Sequence, residues 1–364
     1  MKRLITSSDA LLALQRGLTG DRNLAGTRYM DDPACLTAYA DYYLAVSKAQ
    51  TLRACSLSGL RPSAVLDMGA GPGSVSLALA GLGARSFTLV DSSSRALSMA
   101  SEALAEMSRE YGEPFAVSTL VADLESVALP LPPGVAYDLV AFGHCLNEIG
   151  GADAGPVADA AALARRLGIV RRSASSLAPG GSVLVIEPAT LRASRVTIAL
   201  RDTLVAEGWT VSSPCSNAGP CPALASSTTA TCHDESGWDV PVAVRRLAER
   251  AGLDRDRIKM SWFVLRPPSV DDGVRLEAPP EAPPVGGSYR VVSDSMLNKG
   301  GRVRYLLCGR EGRFPFSARR DDEAAARAGF FSLGRYDLVS VLKPELRQGG
   351  WGFGPRTSIV RLDR

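Results

Sequence analysis

The sequence contains no apolar run approaching the roughly 18 residues that a membrane span needs, and its first residues, MKRLITSSDA, lack the apolar centre of an export signal. A membrane span and secretion are set aside, and a cytoplasmic location is expected. A large charge excess is missing too. Against 41 Lys and Arg stand 38 Asp and Glu, and a net charge of +3 is too small to imply nucleic-acid binding by itself. Histidine occurs only twice. Seven cysteines without an export signal do not read as a disulfide framework. Cys35, Cys55 and Cys145 are scattered and read as small apolar core residues.

What is present is a soluble globular composition, 46% hydrophobic and 22% charged over 364 residues, enough for two or three domains. Charge is unevenly spread. From Tyr289 to the end there are 15 Lys and Arg against 8 Asp and Glu, so the rest of the chain is slightly acidic.

The organising stretch is AVLDMGAGPGSVSLALA, Ala64 to Ala80. A short apolar run ends at Asp67, glycines follow at Gly69, Gly71 and Gly73, and helical apolar spacing resumes at Val75, Leu77 and Leu79. Strand, glycine turn and helix in succession form a ligand-binding turn used with several adenosine-containing cofactors. A second strand, Ser86 to Val90, runs into Asp91 and Ser92, where a carboxylate can accept both hydroxyls of an adenosine ribose. A third, Phe115 to Val121, leads to Asp123 and Leu124, placing a carboxylate for an adenine amino group. A fourth, Tyr137 to Phe142, leads into GHCLNEIG. Ligands of such sheets lie beyond the carboxyl ends of the strands, so Gly143, His144, Asn147 and Glu148 should face cofactor and substrate, with His144 and Glu148 as candidates for proton transfer.

The DxGxGxG turn and the two acids after it resemble the class I S-adenosylmethionine methyltransferases. That resemblance implies an α/β fold with a Rossmann-like sheet and assigns S-adenosyl-L-methionine to Asp67, Gly69, Gly71, Gly73, Asp91, Ser92, Asp123, Leu124, Gly143 and His144. The Asn-Pro-Pro-aromatic turn of many amino-methylating enzymes is absent, and so is the CxxxCxxC of radical enzymes.

Around this core the pattern predicts an N-terminal helical region over 1–60, a methyltransferase domain over 61–266, a Pro-rich linker over 267–287 and a basic β-rich module over 288–364. Helices are expected at Val157 to Leu177, Leu191 to Glu207 and Val240 to Ala251, with Arg192, Arg195 and Arg201 either on a solvated face, the default, or in contact with RNA. A fifth strand is expected at Ser182 to Ile186 and a further one at Ile258 to Leu265. The C-terminal module should open with a hairpin turning at Asn298 to Gly301, and Phe330, Phe331, Trp351 and Phe353 suit either RNA stacking or a barrel core.

Residues 209–238 are the anomaly, a Pro-, Gly- and Ser-rich stretch that reads as loop throughout. Cys215, Cys221 and Cys232 offer soft ligands for zinc or an iron–sulfur cluster that would organise it, with His233 or Cys308 as the fourth. The sequence PCSNAGPCP, then TCH, then a later Leu-Cys on a strand, on a methyltransferase core with a helical preface, resembles the methyltransferase-like assembly proteins of the mitochondrial small ribosomal subunit and their bacterial relatives. The resemblance implies a [4Fe-4S] cluster on Cys215, Cys221, Cys232 and Cys308, with His233 a neighbour, and the small ribosomal subunit or its rRNA as partner. Ser216, Asn217 and Asp234 depart from the family's pattern around those cysteines. Three readings remain open from sequence: a methyltransferase acting on rRNA, a non-catalytic assembly factor, and a small-molecule methyltransferase with zinc in the cysteine site. No oligomeric state is legible.

Overall fold

The computed structural model describes residues 8–126, 131, 135–151, 156–268 and 287–362. The linker expected over 267–287 lies outside them except at its ends. Helix α1, Ser8–Thr19, opens the chain; α2, Pro33–Ala38, and α3, Leu44–Ser58, are joined by one π turn at Tyr39–Tyr43. Asp32 caps α2, its side chain accepting from the amides of Ala34 and Cys35. The expected helical preface is therefore present, with one change. The extra residue of the π turn rotates the apolar stripe, so Tyr42 is fully buried and Tyr43 only partly.

A sheet follows: β1 Ala64–Met68, β2 Ser86–Asp91, β3 Ala116–Val121, β4 Tyr137–Gly143, β5 Leu177–Pro188, β6 Thr210–Ser213, β7 Asp234–Gly237 and β8 Arg257–Arg266. Its order is β3-β2-β1-β4-β5-β8-β6, with β7 also on β8. Strands β1 to β5 pair in parallel, and β8 runs antiparallel to β5, β6 and β7. This is the class I methyltransferase-like α/β sheet. Its crossover helices are α4 Ser74–Ala80, α5 Ser94–Tyr111, α6 Pro156–Ala174 and α7 Leu191–Ala206. Central strands covered on both faces read as continuous apolar runs, which is why β1, β4 and β5 were visible in the sequence. Alternate residues divide between two cores: Leu66, Val140, Phe142 and Val185 join one, Val65, Leu139, Ala141 and Leu184 the other.

Two expectations are corrected. The helix expected to run to Leu177 ends at Ala174, and the strand expected from Ser182 begins at Leu177, so Pro179, Gly180 and Gly181 belong to the first part of β5, which accommodates them through a register shift opposite Tyr137 and Leu139. Residues 209–238 are not loop throughout. β6 and β7 share the far edge of β8, and a short helix α8, Pro222–Ser226, lies between them. Their partner is fifty residues away for β6, so no local pattern announces them. Helix α9, Val242–Ala251, precedes β8 and packs on α1 through Val244, Leu247 and Leu11.

The basic C-terminal part builds a second sheet from β9 Ser288–Val291, β10 Met296–Leu297, β11 Arg302–Gly309, β12 Gly312–Arg319, β13 Leu338–Leu342, β14 Glu345–Arg347, β15 Gly350–Gly352 and β16 Ser358–Arg361, with helix α10 Glu323–Arg327 between β12 and β13. The order is β14-β15-β12-β11-β9-β13-β16, with β10 hairpinned onto β11 across the expected turn at 298–301. Its core is aromatic: Phe330 meets Tyr305 and Phe316 edge-on at 5.2 and 5.1 Å. Phe330 and Phe353 are thus core residues. The two sheets touch where Tyr336 stacks on Trp262, and where Arg290 and Arg313 donate to the carbonyls of Pro214 and Thr231.

Candidate cofactor cleft and cysteine cavity

At the carboxyl ends of β1 to β4 lies a cleft of about 410 Å³, lined by Gly69, Gly71, Asp91, Ser92, Asp123, Leu124, Gly143 and His144 among others. Eight of the ten residues expected at a cofactor therefore come together. Gly69 has φ +72°, and a Cβ there would stand 2.5 Å from Cys145 Cβ, so only glycine lets the turn close over the loop after β4. Gly71, at φ +51°, faces Met30 Cε. The turn's amides are spent internally: those of Gly69 and Ala70 donate to the Val90 carbonyl, and that of Gly71 to Asp91 Oδ2 at 2.8 Å. What the glycines offer a ligand is close approach.

Asp91 is held from both sides, Oδ1 accepting from Ser93 N and Oδ2 from Gly71 N, each at 2.8 Å. Burial pushes its pKa up, against the pull of these two bonds. Each oxygen keeps a lone pair for a hydroxyl donor. Asp123 is exposed at the rim, with Oδ1 accepting from Glu125 N at 2.9 Å.

Asp67 and Gly73 do not line the cleft. Asp67 is fully buried behind the turn, Oδ2 accepting from Ser76 Oγ at 2.7 Å and Ser76 N at 3.2 Å, so it ties the end of β1 to α4. Burial raises its pKa to about 6. Gly73 caps α4 against Ala100.

The fourth wall was only partly foreseen. Tyr29, Met30 and Tyr39 of the helical preface reach the cleft, and Tyr29 Oη donates to Glu148 Oε1 at 3.2 Å. Burial, then the charges of Glu187 and Asp91, push Glu148 up to about 8. His144 carries a positive φ of 63°, a conformation that costs a non-glycine residue about 1–3 kcal/mol and needs a frame to hold it. The frame is visible: buried Arg166 donates to the carbonyls of Leu146 and Ile149, Glu187 accepts from Leu146 N, and Arg22 donates to Asn147. Gln50 spends its amide nitrogen on the Lys259 carbonyl, so its oxygen meets His144 Nε2 at 2.7 Å and that nitrogen carries the proton. Burial lowers the imidazole pKa to about 4, and the ring is neutral at physiological pH. No local signal in the sequence points to Arg166, Glu187 or Gln50, because each acts across more than 15 residues.

The four cysteines also come together. Cys215, Cys221, Cys232 and Cys308 line one cavity with Arg201, Arg290, Phe263 and Tyr336. Among the described residues, no group of three or more His, Cys, Asp or Glu is placed to hold a metal ion as it stands. Burial pushes up the thiols of Cys215 and Cys221 and takes that of Cys308 to about 12. Arg201, expected on a solvated face, is instead fully buried: it donates to the carbonyls of Asn217 and Gly219 and pairs with Asp202, whose carboxylate accepts from Cys221 N. Arg195 likewise holds the carbonyls of Ser227 and Ala230. The polar stretch satisfies its backbone with arginine side chains from α7. His233 lies outside the cavity lining, near Glu235 and Arg335.

No helix among the described residues is long and apolar enough to cross a membrane. Among solved structures, an O-methyltransferase family protein from Burkholderia thailandensis is similar at 15% identity and a TM-score of 0.40, covering 72% of this chain and 73% of that one. The 16S rRNA methylase RmtB is similar at 13% and 0.35, covering 73% and 77%, and magnesium protoporphyrin IX methyltransferase from Synechocystis PCC 6803 with bound SAM at 14% and 0.35, covering 74% and 100%. No curated protein matches the chain. The family model described as mitochondrial small ribosomal subunit Rsm22 matches residues 34–315, well over half of the sequence. The chain belongs to the Rsm22 family.

Proposed function

We propose that this protein binds S-adenosylmethionine in the cleft, carries a [4Fe-4S] cluster on its four cavity cysteines, and acts on the small ribosomal subunit or its rRNA during assembly. The observation that carries the reading is the convergence of the glycine turn, Asp91 and Asp123 on one cleft, in a chain whose family is defined by the small ribosomal subunit. Asp91 would take the ribose hydroxyls, Asp123 and Leu124 the adenine, and Gly69, Gly71, Gly143 and His144 the methionine end. The cofactor supplies an electrophilic methyl group on a sulfonium. The chain's own contribution is position: the loop after β4 holds His144 neutral and Glu148 beside Tyr29 at the end of the cleft.

The donor set suits a cluster. Four thiols around one cavity supply the ligands, and Arg201 and Arg290 on the same wall would offset their negative charge once the protons leave. Cys308 comes from β11 and the other three from 209–238, so the cluster would tie the second sheet to the first.

The test is calorimetry with S-adenosylmethionine on wild type and Asp91→Ala, beside iron and sulfide analysis of anaerobically purified wild type and Cys221→Ser. Binding abolished by the first substitution with metal retained, and roughly four irons per chain lost in the second, is the expected result. Unchanged cofactor affinity in Asp91→Ala would sink the cleft assignment, and a colourless wild type with one zinc would sink the cluster.

A further inference from the structure

A second cavity, of about 310 Å³, opens beside the cofactor cleft and shares Tyr29, Tyr39, His144 and Glu148 with it. The π turn shapes it. By sending Tyr42 into the core, that turn leaves Tyr39 and Tyr43 side by side on the cavity wall, ring centroids 5.4 Å apart and tilted by 33°. Flat apolar faces alone would suit any aromatic molecule. The remaining lining does not: Gln50, Asn147, His144 and Glu148 bring amide, imidazole and carboxyl groups to the same wall. Each already has a partner within the protein, yet the Gln50 and Asn147 amides and the Glu148 carboxyl have capacity for a further hydrogen bond, which a heterocycle with donors and acceptors along its edge can use and an apolar ring cannot.

Two further features point the same way. The Tyr43 hydroxyl is buried and has no partner at ordinary hydrogen-bond geometry among the described residues; the Arg255 guanidinium, 5.7 Å from its ring centroid, is the cation that faces it. A buried phenol lining a cavity is a place for a ligand's polar atom. Arg255 and Lys259 add two cations to the lining, and Lys259 remains half-exposed although it pairs with Glu235. A planar heterocycle with mixed edges, joined to an anion, is the description of a nucleotide.

We propose that this second cavity receives one unstacked nucleobase, one face against the wall formed by Tyr39 and Tyr43, its edge toward Glu148 and Gln50, and its phosphate toward Arg255 and Lys259. A base inside a duplex cannot reach a recess of this kind, so the RNA segment would be single-stranded or would extrude the base. The proposal deepens the reading that the adjoining cleft binds S-adenosylmethionine and that the protein acts on rRNA, and it names the part of the RNA that enters.

The test uses the four nucleoside 5′-monophosphates as probes, titrated one at a time by NMR into the purified full-length protein with S-adenosylhomocysteine present. At least one should bind, weaken about tenfold in Tyr43→Leu, and weaken less in Tyr43→Phe, which keeps the ring and loses only the hydroxyl. S-adenosylhomocysteine affinity should stay within about twofold in both variants. No binding of any monophosphate to wild type, or equal binding to Tyr43→Leu, overturns the proposal. Should a variant fail to fold, irradiation of the wild type with 5-iodouridine 5′-monophosphate decides: an adduct mapped to Tyr29, Tyr39 or Tyr43 supports the cavity, and adducts confined elsewhere refute it. Monophosphate binding without any S-adenosylhomocysteine binding would remove the cofactor reading and leave the cavity standing.

Discussion

Three carboxyl groups lie near the carboxyl ends of the central strands, Asp67 and Glu187 fully buried and Glu148 partly, and each is shifted in the same direction. Burial raises Asp67 to about 6, Glu187 to about 7 and Glu148 to about 8, from ordinary values of 3.8, 4.5 and 4.5. A folded-state pKa above the unfolded one means that the folded protein binds more protons. The associated stability is complete below about pH 4, and it is lost as pH rises through the folded values. The ligand-free protein should therefore lose melting temperature steadily between about pH 5 and 8. Glu148→Gln, which stays neutral, should flatten the upper part of that slope in thermal melts across the range. Glycine gives a second residue-level prediction. Gly69→Ala meets both a left-handed backbone and the Cys145 side chain, and should lower stability by about 2 kcal/mol or more in denaturant titration. Asp67 shows the limit of reading at this scale: a carboxylate before a glycine turn suggests a ligand contact, but burial under Ser76 gives it a structural task.

At the scale of elements, the decisive piece is the stretch between α7 and α9. Its composition reads as loop, and its order comes from elsewhere: β8 supplies strand partners, and Arg195 and Arg201 supply donors for its carbonyls. Arg201→Ala would take the cation from Asp202, which keeps the Cys221 amide, and the donors from two part-buried carbonyls. The expected cost is about 3 kcal/mol or more, read as a lower denaturant midpoint, with new proteolytic cleavage between Cys215 and Cys221. Unaltered protease resistance would contradict the role given to Arg201. The helices and parallel strands were legible because their apolar periodicity is local. β6 and β7 were not, because a four-residue edge strand is defined by its neighbour.

For the whole molecule, the second sheet brings Cys308 and a surplus of basic residues to the methyltransferase-like sheet. If RNA lies along it, affinity for a small-subunit rRNA fragment should fall with salt, and replacing exposed Arg304 or Arg320 by Ala should each reduce the log–log slope by up to about one. A salt-independent affinity would argue for a partner other than nucleic acid. The joint between sheets gives another measurable outcome. Cys308→Ser, or chelation of the proposed cluster, should speed amide exchange in β9 and β11 and around 231–235, while β1 and β4 stay protected.

The amino-acid sequence by itself determined the glycine turn, the acids after β2 and β3, the run of parallel strands, and four cysteines worth grouping. Each is a local pattern of spacing or residue type, and local patterns survive without a fold. Only the tertiary structure decided which of those residues meet. It turned Asp67 inward, drew the helical preface over the cleft so that Tyr29 reaches Glu148, and buried Arg201 beneath the cysteine stretch. It also set Tyr39 and Tyr43 around a second cavity. Burial settles these matters, together with hydrogen bonds whose partners lie 9 residues apart for Asp67, 16 for Arg201 and 119 for Tyr29, separations that hydrophobic periodicity does not report.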